Sequence, residues 1–219
     1  MKRADSTFVP ALGFHRLTPL YDAVVGLTTR EKRVKQALIT QAGLAPGLEV
    51  LDLACGTGTL AVWVKRQYPG LSMSAVDADP AILTLARRKA DKAEVSVDFA
   101  QAMSQALPYA DARFDRVLSS LFFHHLSWEV KQRTAQELFR IIKPGGQLHV
   151  ADWGKPENPL MRGLFLFIQL LDGFANTGDN LAGRLVPLFE AAGFVEVTQA
   201  RTFNTLFGTM ALYSAVKPG

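Results

Sequence analysis

Two aspartates flank a glycine-containing turn in the first half of the chain. The turn, here called the glycine loop, is GTG at 56–58, between a continuous apolar run at 48–54 and a helical pattern. Glycines permit a tight turn and let backbone amides approach a ligand closely, and a helix N-terminus adds the positive end of its dipole. Asp77 ends the next apolar run, where a carboxylate can accept hydrogen bonds from both hydroxyls of a ribose. Asp52 precedes the loop and favours a cationic or amine-bearing ligand, because a carboxylate repels a pyrophosphate.

Both aspartates also have structural interpretations. Asp52 could accept hydrogen bonds from loop amides alone, and Asp77 could belong to a turn before Asp79. Two carboxylates at these spacings around one glycine loop favour a nucleoside that carries a positive charge. The loop and Asp77 also satisfy the loose fingerprint of a nicotinamide dinucleotide site, but Asp52 argues against that alternative.

A second group of reactive side chains lies further along the chain. His124 and His125 follow the fourth predicted strand, and Asp152 ends the fifth. Ligands of open α/β sheets bind outside the carboxyl ends of the strands, so these side chains are predicted near a reacting group, where histidine suits general-base catalysis. The structural alternative is that both histidines only satisfy loop carbonyls. Adjacent side chains point in different directions, so at most one of the two is expected to face a pocket.

The elements that must position these groups alternate between apolar runs and helical patterns. Strands are predicted at 48–54, 71–78, 94–100, 114–123, 147–153, 195–203 and 209–217, and helices at 59–69, 80–93, 128–143, 159–174 and 180–194. Asp79 and Ser127 are predicted helix N-caps, and Pro144-Gly145-Gly146 is the predicted stop of the helix before it. The alternation predicts an α/β fold, a doubly wound and mostly parallel sheet with helices on both faces, which the last two strands close as an antiparallel hairpin.

Composition limits the remaining choices. The chain has 219 residues, 48% of them hydrophobic, which predicts a single domain over 1–219. The net charge of +4 comes from scattered helical segments without interleaved aromatics, so no nucleic-acid partner is predicted. One cysteine and four histidines form no zinc spacing, so no metal is predicted. The absence of a signal peptide and of a membrane-length apolar run predicts a cytoplasmic protein without stable membrane insertion.

Four motifs, in this order, resemble those of class I methyltransferases, which use S-adenosylmethionine. They are VLDLACGTG (50–58), AVDADP (75–80), FDRVLSSLFFHHL (114–126) and LFRIIKPGGQLHVADWG (138–154). The resemblance covers roughly residues 45–154 and is greatest to the branch of quinone-ring and small-molecule methylases. It implies a seven-stranded sheet in the order 3-2-1-4-5-7-6, with strand 7 antiparallel.

The resemblance also implies which residues bind the cofactor. They are, in chain order, Arg33, Asp52, Ala54, Gly56, Thr57, Gly58, Asp77, Ala78, Gln101, Ala102, Met103 and Ser119. The residues around the glycine loop are implied to line the methionine part, and those from 77 to 103 the ribose and the adenine. Gln101 stands where the family usually has an aspartate that meets the adenine amino group. Ser119 is implied near the sulfonium, and Arg33, with Arg30 as the alternate, at the methionine carboxylate.

The acceptor side is predicted in less detail. Some phosphoethanolamine methylases pair a histidine of this loop with a tyrosine of an N-terminal helix, and the similar positions here are His125 and Tyr21. Residues 1–45 are predicted to form a helical lid, and 155–184 an insertion on the substrate side of the same domain. The apolar run at 160–171 favours a hydrophobic acceptor, with a dimer contact or a core helix as alternatives.

The predicted function is in-line methyl transfer from S-adenosylmethionine to a small, hydrophobic acceptor such as a quinone precursor or a lipid. S-adenosylhomocysteine is the predicted product. A nicotinamide-dependent oxidoreductase and a cofactor-binding module without catalysis are the alternatives. A homodimer and the identity of the methylated atom, whether carbon, nitrogen or oxygen, are left open.

Overall fold

The computed structural model describes residues 31–219 of the chain. The strands are β1 (Glu49–Leu53), β2 (Ser72–Asp77), β3 (Asp98–Gln101), β4 (Phe114–Ser120), β5 (Ile142–Trp153), β6 (Val195–Thr205) and β7 (Gly208–Val216). The helices are α1 (Glu31–Gln41), α2 (Thr59–Gln67), α3 (Pro80–Lys92), α4 (Trp128–Ile141), α5 (Pro159–Asp172), α6 (Phe174–Leu181) and α7 (Leu185–Ala191), and a turn of 3-10 helix spans Phe123–His125. Of the predicted lid at 1–45, residues 1–30 lie outside the described residues.

The seven described strands form one sheet in the order β3-β2-β1-β4-β5-β7-β6. The first five strands of that order are parallel, and β7 runs antiparallel to both β5 and β6. The predicted fold is therefore confirmed, including the closing hairpin. Because parallel strands share one direction, the carboxyl ends of β1, β2, β4 and β5 meet at one edge of the sheet. Asp77 is the last residue of β2, and Asp152 is the next-to-last residue of β5. The two histidines follow β4 at the same edge of the sheet.

Helices pack on both faces of the sheet and make two apolar cores. Side chains alternate along β1, so Val50 belongs to one core while Leu51 and Leu53 belong to the other. Residues of α1, α2, α3 and α5 share the core of Val50, and residues of α4 and α7 share the other. Since Asp52 has the same phase as Val50, its side chain points toward the layer that contains α1 and α2.

Both predicted N-caps are confirmed. The Asp79 carboxylate accepts from the backbone amides of Ala81 (2.8 Å) and Ile82 (3.4 Å) at the start of α3. The Ser127 hydroxyl accepts from the amide of Val130 (3.4 Å) at the start of α4. These caps fix where two helices begin, directly after the strand ends that carry the candidate site.

The predicted helix stop after residue 143 was wrong. Helix α4 ends at Ile141 and the chain continues directly into β5, which contains Pro144-Gly145-Gly146. The amide of Gly145, whose φ is 74°, donates to the carbonyl of Lys217 (2.9 Å), and the Lys217 amide donates back to Gly146 (2.9 Å). The glycines therefore form an irregular end of the sheet, where strand pairing satisfies their backbone groups, instead of a free loop.

The single helix predicted at 180–194 was also wrong. Two helices occupy this part of the chain, α6 at Phe174–Leu181 and α7 at Leu185–Ala191, and Gly183 with a φ of 73° separates them. Helix α6 escaped prediction because its buried positions are polar, so it shows no apolar periodicity.

Two properties of residues 31–219 concern membrane crossing and metal binding. No helix in this range combines the length and the apolar character that crossing a membrane requires. Within the same range, no cluster of three or more histidine, cysteine, aspartate or glutamate side chains is arranged to hold a metal ion.

Candidate active site

The glycine loop has a backbone that alternates in handedness. Ala54, Gly56 and Gly58 have positive φ values of 55°, 53° and 75°. Such alternation turns successive backbone amides toward one concave side, which attracts negatively charged or carbonyl-like groups. For Ala54 the left-handed conformation costs about 1 kcal/mol, because its Cβ crowds the following carbonyl. Leu121, after β4, is strained in the same way with a φ of 58°, so strain occurs at both strand ends that border the site.

The loop leaves room for a ligand. A Cβ at Gly56 would meet no atom within 4 Å, whereas a Cβ at Gly58 would lie 3.0 Å from the Cβ of Ala86 on α3. Gly58 is also the N-cap of α2 and provides no capping side chain. The open space at Gly56 and the start of α2, whose N-cap residue has no side chain, are together suited to a ligand that lies against the loop.

Asp52 is buried beside this loop. Only 1% of its surface is exposed, and its Oδ2 accepts from the amide of Ala61 in the first turn of α2 (3.1 Å). Burial raises the pKa of Asp52 to about 7, although the positive charge of Lys35 and the Ala61 amide oppose that rise. A cationic ligand group beside Asp52 would favour its ionised form.

Asp77 holds the other side of the loop. Its Oδ2 accepts from the amide of Gly56 (2.9 Å), and its Oδ1 accepts from the amide of Asp79 (3.0 Å). Burial raises the pKa of Asp77, and these amides oppose the rise. Each carboxylate oxygen retains acceptor capacity, which is what a pair of vicinal hydroxyls requires.

The residues predicted to flank the adenine come together beyond β2 and β3. The Gln101 Nε2 donates to the carbonyl of Ala78 (3.1 Å), and the amide of Ala102 donates to the carbonyl of Asp77 (3.1 Å). Met103 exposes 39% of its surface, which is high for an apolar side chain. Ala102 and Met103 thus form an apolar surface, and the side-chain oxygen of Gln101 lies at its edge.

Two further predicted residues are engaged within the protein. The Ser119 hydroxyl is fully buried and donates to the carbonyl of Leu53 (3.2 Å), so it links the ends of β4 and β1. The Thr57 hydroxyl receives a hydrogen bond from Lys89 of α3 (2.7 Å), which also binds Thr59 (2.7 Å). Lys89 therefore fastens the glycine loop to α3, a contact that the sequence analysis missed.

Arg33 stays a prediction for the methionine carboxylate, and it is not the cation whose charge acts on Asp52 in the structure. Arg33 lies on the exposed side of α1 and borders a groove of about 970 Å³, together with Arg201 and Phe203 of β6. Lys35, whose side chain is 13% exposed and paired with Glu31, is the cation whose charge stabilises ionised Asp52. The sequence contained a signal for the role of Lys35. Lys35 lies beside Val34 on the apolar side of α1, whereas Arg33 lies on the exposed side.

The turn after β4, residues 121–125 and here called the histidine turn, is held by Asp152. The fully buried Asp152 carboxylate accepts from His124 Nδ1 (2.7 Å) and from the amides of Trp153 (2.7 Å) and Phe122 (3.1 Å). Burial opposes its ionisation, but the facing His124 and the hydrogen bonds outweigh burial and lower the pKa of Asp152. An ionised carboxylate only accepts, so His124 donates to Asp152 through a proton on Nδ1.

His125 stacks on its neighbour and is more accessible. The centroids of the two imidazole rings are 3.9 Å apart. Burial and the adjacent His124 lower the pKa of His125 to about 3, so its ring is neutral near pH 7. Its backbone carbonyl accepts from the Asn176 side chain (3.2 Å). Tyr21, predicted as the partner of His125, and Arg30 lie outside the described residues, so that pair stays a prediction.

Comparisons with known proteins agree with this geometry. A family model described as a methyltransferase domain matches residues 50–146. The demethylmenaquinone methyltransferase of Thermus thermophilus is 32% identical over 145 residues, which cover 65% of this chain and 65% of that protein. The ubiquinone/menaquinone biosynthesis C-methyltransferase UbiE of Syntrophotalea carbinolica is 31% identical over 154 residues, 69% of this chain and 64% of its own. The chain thus spans slightly less than two thirds of each relative.

Among solved structures, the [4+2]-cyclase SpnF superposes with a TM-score of 0.73 at 22% identity, over 92% of this chain and 93% of that one. At this identity the similarity shows the fold alone. Residues 50–146 contain the methyltransferase domain, and the motif order and sheet topology agree with it. The chain is therefore similar to class I methyltransferases in its sequence over residues 50–146 and in its sheet topology, and the two relatives are named for demethylmenaquinone and for ubiquinone/menaquinone biosynthesis.

Proposed function

We propose that the protein transfers a methyl group from S-adenosylmethionine to a small, hydrophobic acceptor. The observation that carries the proposal is the pair of carboxylates, the buried Asp52 and the half-buried Asp77, on either side of a glycine loop with open space at Gly56. When bound, S-adenosylmethionine supplies an electrophilic methyl group on a sulfonium and leaves as S-adenosylhomocysteine. Asp52 suits its positively charged methionine end, and Asp77 suits its ribose.

The remaining cofactor contacts follow from position. Thr57 and Gly58 continue the loop beside the methionine, and Ala54 and Ser119 lie at the strand ends below it. Ala78, Ala102 and Met103 cover the adenine, and Gln101 Oε1 accepts from its amino group because Gln101 Nε2 already donates to Ala78. We assign to Lys35 the role predicted for Arg33, which is to bind the methionine carboxylate. Lys35 is close enough to Asp52 for its charge to lower the pKa of that carboxyl group.

For the acceptor we infer an aromatic hydroquinone. The relatives are named for demethylmenaquinone and ubiquinone/menaquinone, and α5, whose Phe165 packs against Trp153 next to Asp152, exposes Leu166, Phe167 and Leu170. A hydroquinone becomes a carbon nucleophile when it loses a phenolic proton, and the aromatic carbon that gains the methyl group loses its own proton afterwards. His124 and His125 are the proton acceptors at this edge, and the phenolate that forms beside His125 raises the pKa of that ring, which is about 3 without a ligand. The protein's main contributions are alignment of the two reactants and exclusion of water.

Calorimetric titration with S-adenosylmethionine and S-adenosylhomocysteine tests the cofactor site. We expect binding that Asp77→Ala weakens about 100-fold, because two ribose hydrogen bonds to a charged acceptor are lost. Asp91→Ala, an exposed carboxylate on α3, is the matched control. Absence of binding by the folded wild type would contradict the proposal, and a bound chromophore near 340 nm after reduction would favour a nicotinamide cofactor instead.

The acceptor is tested separately. A demethylmenaquinone with a short side chain, kept reduced, should gain one methyl group from radiolabelled S-adenosylmethionine. Simple phenols and amines serve as comparison acceptors. If S-adenosylmethionine binds tightly and no acceptor of any class is methylated, the alternative of a cofactor-binding module without catalysis gains support.

A further inference from the structure

Helix α6 buries polar side chains next to the histidine turn. Thr177 and Asn180 are fully buried, and buried polar groups are costly unless they are hydrogen-bonded. The Asn180 side chain donates to the carbonyl of Trp153 (3.2 Å), directly after Asp152, and the Asn176 side chain donates to the carbonyl of His125 (3.2 Å). One short helix thus holds both segments that make up the acceptor side of the site.

A buried lysine fixes α6 in place. Lys131 of α4 is 0% exposed, and its Nζ donates to the backbone carbonyl of Asn176 (2.6 Å) and to Asp179 (3.4 Å). Burial lowers the pKa of Lys131, and the negative charges of Asp179 and Asp152 oppose that change. A buried ammonium group is tolerated only with such partners. The same residue, Asn176, therefore receives a bond from α4 and gives one to the histidine turn.

The bond from Asn176 complements the bonds to Asp152. Within the turn, the His125 amide donates to the carbonyl of Phe122 (3.0 Å), and the Leu126 amide donates to that of Phe123 (3.0 Å). Asp152 accepts from amides at the start of the turn, and Asn176 donates to the carbonyl at its end. The turn is clamped from two directions, by β5 and by α6.

We propose that Asn176, itself fixed by Lys131, is a positioning residue that sets the orientation of His125 toward the acceptor. This inference rests on the proposed function and deepens it. Asn176 touches neither reactant and acts through the peptide that follows His125. Because α6 continues from α5 through Gly173, it also connects the apolar helix beside the acceptor to the proton-accepting turn.

The test compares variants that disrupt the hydrogen bond from Asn176 to the His125 carbonyl with a variant that leaves it in place. Asn176→Asp keeps the side-chain volume but places a carboxylate against the His125 carbonyl, and Asn176→Ala removes the group. Lys131→Met removes the buried ammonium at similar volume. Asn204→Ala is the matched control, since Asn204 donates to Glu157 on the exposed side of β6. The imidazole nitrogen signals of His125 are recorded by NMR in the apoprotein, and kcat and KM are measured with the reduced demethylmenaquinone.

We expect both Asn176 variants to shift the His125 ring signals and to lower kcat about tenfold, with KM and the affinity for S-adenosylmethionine changed less than about twofold. Lys131→Met should shift the same signals in the same direction. If the His125 signals and kcat match the wild type in a folded Asn176→Asp protein, the inference is overturned. Should the wild type methylate no acceptor, the proposed function fails while the NMR comparison still decides whether Asn176 positions the turn.

Discussion

The glycine loop and the histidine turn lie at the same edge of one sheet and are built in different ways. The loop is shaped by its backbone, with three left-handed residues within five positions and carboxylates on adjacent strands. The turn is shaped by side chains from distant parts of the chain, Asp152, Asn176 and Lys131. The predicted cofactor site is thus built from local backbone conformation, whereas the proposed acceptor side depends on tertiary packing.

The largest effect should come from breaking the turn at Asp152. Asp152→Ala leaves His124 and three backbone amides without their acceptor in a fully buried site, and we expect a loss of about 3–5 kcal/mol in the free energy of unfolding. Urea unfolding measures the loss. Asp115→Ala, a partly exposed carboxylate paired with Lys143, is the control and should cost less than about 1 kcal/mol. A small effect of Asp152→Ala would mean that α6 alone maintains the turn.

The next largest effect should be a pH dependence that arises at Asp52, beside the glycine loop, and not at the histidine turn. The pKa of Asp52 near 7 lies above its unfolded value, so the folded apoprotein retains a proton that the unfolded chain releases. Its contribution to stability is therefore present at low pH and declines as the pH rises from about 4 to about 7. Cation binding needs the ionised form, so affinity for S-adenosylmethionine should rise about 50-fold between pH 5 and pH 7, as the ionised fraction of Asp52 rises from about 1% to about half.

Calorimetry in two buffers of different ionisation enthalpy measures the proton that is released on binding. Asp52→Asn should abolish both the proton release and the rise in affinity. Proton release that persists in Asp52→Asn would assign the titration to another group.

The two loop glycines should respond differently to the same substitution. Gly58→Ala adds a Cβ at a φ of 75° and 3.0 Å from Ala86, and we expect a loss of about 2 kcal/mol in stability. Gly56→Ala has a similar φ but no neighbour within 4 Å, so it should cost about 1 kcal/mol and mainly weaken cofactor binding. Thermal unfolding and calorimetry on both variants give the comparison. Equal effects on binding would contradict the assignment of the open space to the ligand.

The smallest effect concerns the cation on α1. Lys35→Ala should weaken S-adenosylmethionine binding about tenfold, because it removes a carboxylate partner and also raises the pKa of Asp52 further. Arg33→Ala and Lys32→Ala, on the exposed side of the same helix, are the controls and should bind like the wild type. A loss for Arg33→Ala instead of Lys35→Ala would restore the sequence-based assignment.

The sequence predicted most of the fold, and the structure brings the glycine loop and the two aspartates of the predicted cofactor site together. Strand order, hairpin, glycine loop and both aspartates follow from motifs that occupy short, contiguous segments. Lys35 was missed because choosing between neighbouring cations needs the rotation of α1 about its axis. Lys131 was missed because a lysine within a helical pattern is expected at the surface. The role of α6 was missed because its buried face is polar, and its partners are about 50 residues away.

Gly173, whose φ of 88° separates α5 from α6, divides the insertion into two parts with different freedom to vary. Residues of α6 are hydrogen-bonded to the histidine turn and to a buried lysine, so we expect most replacements there to disturb the turn. The outward residues of α5, among them Leu166, Phe167 and Leu170, make no such bonds and can change without disturbing the turn. Under the proposed function, substitutions confined to the outward face of α5 would change which acceptor is methylated and would leave the histidine turn intact.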